Sequence, residues 1–518
     1  MAHPTVFPLP TEILLEVLDS LCPNPAANPI RIPTLVLPAI EIFSSVCPWW
    51  WNAAHSQPRF WKHYFVSLPR EVWDGDRFEA LIDHLEYYLE YAPPLISCHV
   101  TVGPGPGPAY WLRRLFVRYA SRLESLILHL SSSTLATFQQ GPPLLFPDLN
   151  ELSIILPAIV QERGRIRLHG LSQTFANVPR LTVLSVFVGG TSRAGSAHRG
   201  SFVNGLPLYD TLTRLTVTCI WISATESRRF WVLCPQLESC TLWLSDFGNE
   251  LGVQQAIVHL ARLRELDITY RYLSPEPFVS LSAPQLVILT MSMEANEDIG
   301  DFPHEALLAF QTRSNYELTE FHLVQVNFVE QAGRVLAVLE ATRSLQRLTL
   351  RWTSFLDFWP QDLEMDNLLE SMARNHPVTP NTMDILPMLR SLEIDLVSPY
   401  EPSVWDILRS RARQLTTVRL YVLKFEVAVA NCTEVYRREI EDLHSRHRGL
   451  QITFAGIGSF GDEQGSDTPS AECDESSESD SDGSEAGSVS TEATSVAEED
   501  EPPSHSGSSD IFSDETSE

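Results

Sequence analysis

Few residue patterns in this sequence of 518 residues could do chemistry. GIGSFG at 456–461 fits the GxGxxG spacing of a dinucleotide-binding turn and follows the strand-like QITFA, but an acidic stretch follows it where that site needs a helix. GPGPGP at 103–108 lacks the Gly-Lys-Ser/Thr of a phosphate-binding loop. The sequence contains no HExxH, no GxSxG and no paired Cys-His metal spacing. We therefore expect a protein that is not an enzyme and that binds no cofactor or metal.

Residues suited to protein binding recur at regular places in a repeated eight-residue pattern. Its third, fifth and seventh positions point to one face of a strand, and they carry aromatic and charged side chains. Arg and aromatic residues on one surface are typical of binding anchors. The candidate substrate-binding residues are Phe187, Trp243, His322, Arg347, Arg351, Asp395, Arg419 and Tyr421. The alternative is that Arg and Asp or Glu on neighbouring strands simply pair across the sheet.

The pattern that would position these residues is LxxLxLxL, as in LTVLSVFV at 181–188, where alternating apolar residues indicate a strand with one buried face. It returns about a dozen times at an average spacing of about 29 residues, which is typical of repeat proteins. Its first residues are Leu95, Leu123, Leu149, Leu181, Leu212, Leu237, Leu263, Leu286, Leu318, Leu345, Leu389 and Leu415. The longer interval before Leu389 contains a helix-like DLEMDNLLESMAR.

Several connecting segments have the apolar spacing of amphipathic helices: GVQQAIVHLAR from Gly252, VEQAGRVLAVLEATR from Val329 and EPSVWDILRSRAR from Glu401. One strand followed by one helix, repeated many times, predicts an α/β fold with a parallel sheet on a concave face. Over residues 95–457 the chain resembles a leucine-rich-repeat solenoid, a horseshoe of about 12 repeats. The family's Asn or Cys after each strand, which hydrogen-bonds the backbone between coils, is missing here, so we expect an irregular arc.

Residues 1–65 have a different composition. LPTEILLEVLDSL predicts a helix with Ile13, Leu14, Val17 and Leu18 on one face, and aromatic-rich helical segments follow a Pro-rich insertion. LPTEI at 9–13, Val46-Cys47, Trp50 and the AxxxPRxW of 54–61 resemble an F-box. The resemblance implies a small helical module that binds Skp1, and through it a cullin, with Leu9, Pro10, Ile13, Leu14, Val17, Val46 and Trp50 as the contact surface. The alternative is a helical cap for the first repeat.

The remaining segments complete the predicted domain organisation. RFEALIDHLEYYLEYAP from Arg77 predicts a helix in a linker at 66–94, with Leu81, Leu85, Tyr88 and Leu89 on one side. The tail at 458–518 is Ser-rich, and its residues 461–518 hold 19 Asp and Glu and no Lys or Arg, which predicts disorder. The tail accounts for most of the net charge of −29, and the rest of the chain shows no basic excess that would indicate nucleic-acid binding.

The sequence also bears on compartment. The first residues have neither a basic start nor an apolar run, and IPTLVLPAIEIFSSV from Ile32 is interrupted by prolines and Glu41. We expect a protein of the cytoplasm, the nucleus or both, without membrane association. Cys98, Cys219 and Cys240 fall at or beside predicted core positions and are interpreted as reduced.

The two resemblances together imply a substrate-recognition adaptor of a Skp1-cullin-F-box ubiquitin ligase. The F-box would bind Skp1, and the repeat arc would bind a protein substrate that the sequence does not identify. The alternative from another class is a repeat scaffold that binds a partner protein without any ligase.

Overall fold

A single parallel sheet of fifteen strands organises the described chain. The computed structural model describes residues 9–32, 39–68, 75–104, 106–157, 170–189, 205–244, 256–271, 273, 275–293, 301–325, 331–351, 363–373, 385–396, 402–422, 438–443, 445–447 and 449–456. The predicted tail at 458–518 and residues 190–204 lie outside these residues.

Each strand of the main sheet is hydrogen-bonded to the next one along the chain, apart from two short strands that pair elsewhere. The main strands are β1 (Ile30–Ile32), β2 (His63–Leu68), β3 (Ile96–Val102), β4 (Leu123–His129), β5 (Glu151–Leu156), β6 (Val183–Val188), β7 (Arg214–Ile222), β8 (Ser239–Leu244), β10 (Glu265–Tyr270), β12 (Ile288–Met293), β13 (Glu320–Val324), β14 (Arg347–Arg351), β15 (Ser391–Leu396), β16 (Thr417–Val422) and β17 (Gln451–Gly456). Strands β9 (Val258–His259) and β11 (Leu281–Ser282) form a separate parallel pair.

Helices connect many of these strands. They are α1 (Thr11–Leu21), α2 (Ala39–Ser44), α3 (Pro48–His55), α4 (Gly75–Leu89), α5 (Pro106–Tyr119), α6 (Ser132–Phe138), α7 (Leu171–Thr174), α8 (Ala224–Leu233), α9 (Glu276–Val279), α10 (His304–Ser314), α11 (Ala332–Ala341), α12 (Leu363–Met372) and α13 (Pro402–Arg411), with 3-10 turns at Pro58–Trp61 and Ala120–Arg122. Among the described residues, no helix combines the length and the hydropathy that crossing a bilayer would require.

Alternation along the strands divides the sheet into two faces. In β6, Leu184, Val186 and Val188 are buried, and they belong to one continuous core with the buried residues of the helices. The residues between them, such as Ser185 and Phe187, lie on the opposite side, which we call the open face. Neighbouring strands are in register, so that Leu184 lies beside Leu152 of β5 and Leu215 of β7. A slip of one residue would move a whole apolar row out of the core.

The predicted α/β architecture with a large parallel sheet is confirmed. All twelve strands expected from the LxxLxLxL pattern are present in the main sheet, together with β1, β2 and β17. The helices expected in the connectors at 329, at 401 and in the interval before Leu389 are present as α11, α13 and α12, and the linker helix is present as α4.

Two expectations about local structure are wrong. The segment from Gly252 was predicted to be helical, but Val258–His259 is a strand that pairs with Leu281–Ser282. Residues 1–65 were predicted to form a small helical module with a Pro-rich insertion, but Ile30–Ile32, within that insertion, and His63–Leu68 are strands that extend the main sheet. The first helices are therefore built onto the same sheet as the repeats.

Arginine side chains supply hydrogen bonds between successive coils. Arg411 is completely buried, and its guanidinium donates to the backbone carbonyl oxygens of Met372 at 2.6 Å and Leu386 at 2.7 Å, and also to that of Ile385. Four other arginines likewise donate to backbone carbonyls of an adjacent coil, namely Arg113, Arg122, Arg228 and Arg313. A planar group with five donors suits several carbonyls that point in different directions.

Replacing Arg411 with alanine is expected to lower the free energy of unfolding by about 2–4 kcal/mol, because it empties a buried site and removes the donor from three carbonyls. Arg409→Ala on the same helix is the matched control, since the Arg409 side chain is 54% exposed and pairs with Asp406 and Glu439. Its effect should stay within about 0.5 kcal/mol. Urea unfolding followed by circular dichroism measures both, and equal effects would contradict a structural role for Arg411.

Candidate functional site

The in-register strands bring the predicted binding residues of β13 to β16 together on the open face. Arg347 donates to the Glu320 carboxylate at 2.7 Å, and Arg419 donates to the Glu393 carboxylate at 3.2 Å. These pairs lie on adjacent strands. We call the group formed by Glu320, His322, Arg347, Thr349, Arg351, Glu393, Asp395, Arg419 and Tyr421 the charged cluster.

The rest of the charged cluster is also internally bonded. Arg351 Nε lies 3.3 Å from Asp395 Oδ1, and its guanidinium carbon lies 4.3 Å from the centre of the Tyr421 ring. His322 is 2.8 Å from the Thr349 hydroxyl through Nδ1 and 3.4 Å from Glu320 through Nε2. Burial lowers the pKa of His322, although the Glu320 carboxylate opposes that shift. This geometry favours the pairing interpretation of these residues, because their charges are already matched across strands.

Asp395 requires a correction. It was predicted to contact substrate, but its side chain is only 1% exposed beneath Arg351. It therefore positions the Arg351 guanidinium beside Tyr421 and does not itself offer a surface to a partner. Removing one member of such a half-buried pair would leave the other charge without compensation.

Phe187 and Trp243 lie elsewhere on the open face. Phe187 is on β6 and 43% exposed, beside Thr218 of β7, whereas Trp243 is on β8 beside Thr269 of β10. The two aromatic residues are two strands apart. Trp243 is three strands from β13, so these residues do not join the charged cluster.

Sequence reasoning missed Asp267, a half-buried residue on the open face of β10. Its neighbours in register are Thr241 of β8 and Thr290 of β12. Burial raises the pKa of the Asp267 carboxyl to about 6. The signal was present in the sequence, since Asp267 occupies the fifth position of its repeat and neither adjacent strand has an arginine.

The first helices carry a second group of candidate residues. Leu9, Pro10, Ile13 and Val46 are exposed, and Val17 and Trp50 are partly buried. Trp50 packs on Phe43 with ring centres 4.3 Å apart. Seven of the seventeen exposed large apolar side chains of the described residues lie between residues 9 and 51, which makes this the densest exposed apolar region there.

Leu14 is the exception in this second group. It was predicted to be part of the contact surface, but it is 1% exposed and packs in the core with Leu18. On a helix, residues four apart share a face, so Leu14 and Leu18 point inward while Ile13 and Val17 lie on the adjoining side. Leu14 therefore packs in the core beneath the exposed side chains and is not itself part of the surface.

The chemistry of cysteines and metals adds no further site in the described residues. Cys98, Cys234 and Cys240 are buried and free, and burial raises the pKa of each thiol to about 12. Cys219 is only partly buried. No group of three His, Cys, Asp or Glu side chains in the described ranges is placed to hold a metal ion.

Comparison with known proteins adds no relative: no family model matches the chain, and a search of curated proteins finds no match.

Leu14→Ala is expected to lower the free energy of unfolding by about 2–4 kcal/mol, because it leaves a cavity in the core. Ile13→Ala removes a side chain that is 42% exposed, so its effect should be below about 1 kcal/mol. Thermal unfolding compares the two neighbouring positions directly. If both variants were equally stable, the assignment of Leu14 to the core would be wrong.

Asp267→Asn is expected to stabilise the protein at pH 7.5, on the order of 1 kcal/mol after allowance for solvent screening, and less at pH 4. The folded pKa of about 6 lies above the unfolded value of about 3.9. The fold disfavours the ionised carboxylate, so the free energy of unfolding falls as the pH rises from about 4 to 6. Above about pH 6 this destabilisation is complete.

The surroundings of Asp267 make this pH test interpretable. The open-face residues beside it on β8 and β12 are Ser239, Thr241, Trp243, Ile288, Thr290 and Ser292, and none of them titrates in this range. Glu265 is the titratable open-face neighbour on β10. Urea unfolding at both pH values is the measurement. Glu393→Gln serves as the control, because it breaks the pair with Arg419 and should give no gain at pH 7.5. An equal gain from Asp267→Asn at both pH values would contradict the assignment.

Proposed function

We propose that the chain is a non-catalytic substrate-recognition adaptor of a Skp1-cullin-F-box ubiquitin ligase. Helices α1 to α3 would bind a Skp1-like protein, and through it a cullin, as an F-box does. The sheet and its helices would serve as an irregular leucine-rich-repeat array whose open face binds a protein substrate. The complex would act in the cytoplasm, the nucleus or both.

The observation that carries the proposal is the exposed apolar surface of α1 to α3. Leu9, Ile13 and Val46 are about half exposed, and Trp49 is equally open. Monomeric proteins rarely leave so many large apolar side chains in water over so short a segment unless a partner covers them. Leu9, Ile13 and Val46 are also the LPxEI and Val-Cys positions at which the sequence resembles an F-box.

The packing beneath this surface supports a preformed docking site. Helix α1 packs on α3, and α2 packs on both. Trp61 is buried behind them, and its ring nitrogen donates to the carbonyl of Ala54 at 3.1 Å. Arg59 pairs with Asp19 at 2.6 Å and links the end of the module back to α1. Apolar residues held on rigid helices lose little entropy on binding, which favours a helix-mediated interface.

A specific observation also favours the second candidate, a repeat scaffold without a ligase. Strands β1 and β2 join the first helices to the main sheet, and Leu14, Leu18, Phe43 and Trp61 belong to the common core. A terminal coil of a repeat protein needs such a cover. The cover accounts for the buried side of α1 to α3, but it does not account for their exposed side.

The test is binding of the full chain to purified Skp1, measured by calorimetry. The variant Ile13→Glu with Val46→Glu is expected to lose at least tenfold in affinity, because it places two charges in an apolar interface. The matched control, Val117→Glu with Val232→Glu, changes two exposed valines on α5 and α8 and should bind normally.

The outcomes separate the two candidates. Loss of binding in the first variant alone, with both variants folded by circular dichroism, supports the adaptor. Absence of Skp1 binding by the intact folded chain would overturn the adaptor and leave the scaffold. Equal loss in both variants would place the contact outside α1 to α3.

A further inference from the structure

Asp267 differs from the acidic residues of the charged cluster. Glu320, Glu393 and Asp395 each have an arginine partner on an adjacent strand. Asp267 instead lies in a row of hydroxyls, between Thr241 and Thr290. A half-buried carboxylate without a cation in register is costly to keep in a fold. Such groups are concentrated where a ligand supplies the missing charge.

Two aromatic side chains lie on the same part of the face. Phe187 on β6 is exposed, and Trp243 on β8 lies one strand from Asp267 and two positions further along its strand. Aromatic residues beside a carboxylate form a surface that fits a chain with apolar and cationic side chains.

Strand β7, between the two aromatics, is irregular. Val217 pairs with Leu242 and Ile222 pairs with Leu244, so β7 has a bulge in which five residue steps of β7 correspond to two of β8. Within the bulge, Cys219 has a positive φ of 61°. Bulges and strained non-glycine residues are frequent beside functional sites, where they interrupt a regular surface.

We propose that the open face from β6 to β10 binds an extended peptide segment of a partner protein, with an apolar side chain against Phe187 and a lysine or arginine paired with Asp267. The segment would run across the strands. The assignment of this segment to the substrate of a ligase rests on the proposed function. The peptide site itself requires no ligase.

The register of the sheet gives the spacing of the two anchors. Three strand steps separate Phe187 from Asp267, through β7 and β8 to β10. At about 4.8 Å per step the three steps span about 14 Å. Ser185 is the residue of β6 in register with Asp267, and Phe187 lies two residues further along, which adds about 7 Å in the perpendicular direction. The two anchors are therefore about 16 Å apart, and since an extended chain advances about 3.3 Å per residue, the apolar and basic residues should be about five positions apart.

The surrounding charges agree with a basic segment. Glu265 lies on the open face of β10, two residues from Asp267, and adds negative charge. The nearest open-face arginine of the described strands on the β6 side, Arg214, is in the same row as Glu265 and two strands from it, at about 10 Å. Further along the sheet, the arginines of the charged cluster are matched by their own acids.

The test is selection of a random dodecapeptide display library on the full chain, with counter-selection on the Asp267→Asn variant. The recovered peptides are expected to contain an apolar and a basic residue about five positions apart. For a synthetic copy labelled with fluorescein, Asp267→Asn and replacement of the peptide's basic residue by glutamine should each weaken binding at least tenfold in fluorescence polarisation. Phe187→Ser, at an exposed position, should also weaken it.

Controls distinguish this inference from the proposed function. Glu393→Gln removes another open-face carboxylate and should leave peptide binding unchanged. The Ile13→Glu with Val46→Glu variant should bind the peptide normally, and Asp267→Asn should bind Skp1 normally. Peptide binding without any Skp1 binding would keep this site and overturn only the adaptor. Recovered peptides that lack a basic residue, that bind as helices, or that bind Asp267→Asn as tightly as the intact chain would overturn the inference.

Discussion

The structure depends on one constraint: each strand can bury its apolar row only beside the matching rows of the neighbouring strands and beneath the segments that connect them. Leu184 lies beside Leu152 and Leu215, and the same in-register contact recurs along the sheet. Because side chains alternate, this register fixes both faces at once. The row that buries the leucines also determines which residues reach the open face, including Phe187 and Asp267. The side chains available to bind a partner on this face are therefore those at positions that do not pack in the core.

Backbone polar groups between successive coils also need hydrogen-bond partners. The chain lacks the row of Asn or Cys residues that provides them in leucine-rich repeats. Arginine side chains meet part of this need, most completely at Arg411. Hydroxyls contribute too, as where Thr211 donates to Leu181 and Ser344 donates to Leu318. The side chains that bond these backbone groups differ from coil to coil. A lysine, with its single ammonium, could not replace an arginine that bonds several carbonyls at once. The chain contains only two lysines among its 37 basic residues, which agrees with such a use of arginine.

The parts of the fold that could be predicted are those with a long repeated period. A leading leucine followed by strict alternation identified twelve strands, whereas β1 is three residues long and β2 lacks the leucine. The helix expected from Gly252 failed because its apolar spacing also suits short strands, and a pairing with β11 decided the outcome. Leu14 was misplaced because neighbours on a helix differ by about 100°, so one apolar stripe contains both core and surface residues. The binding residues were harder still, since sequence shows which side chains reach the open face but not which of them pair with each other.

The way the first helices join the sheet bears on how an adaptor of this kind could work. Tyr88 of α4 donates to Glu41 of α2 at 2.6 Å, and the ring of Tyr91, just after α4, lies 5.4 Å from that of Trp61, so α4 and the residues after it pack against the first helices. Because β2 pairs with β3 along its whole length, the first helices and the later strands share one continuous sheet in the described residues. Seven strand steps lead from β2 to β10, or about 34 Å along the sheet. A substrate segment bound at Asp267 would thus be held at a set distance from a partner bound at Ile13 and Val46. In the proposed adaptor, a continuous sheet would hold a bound substrate at a more constant distance from the other ligase subunits than a flexible linker would.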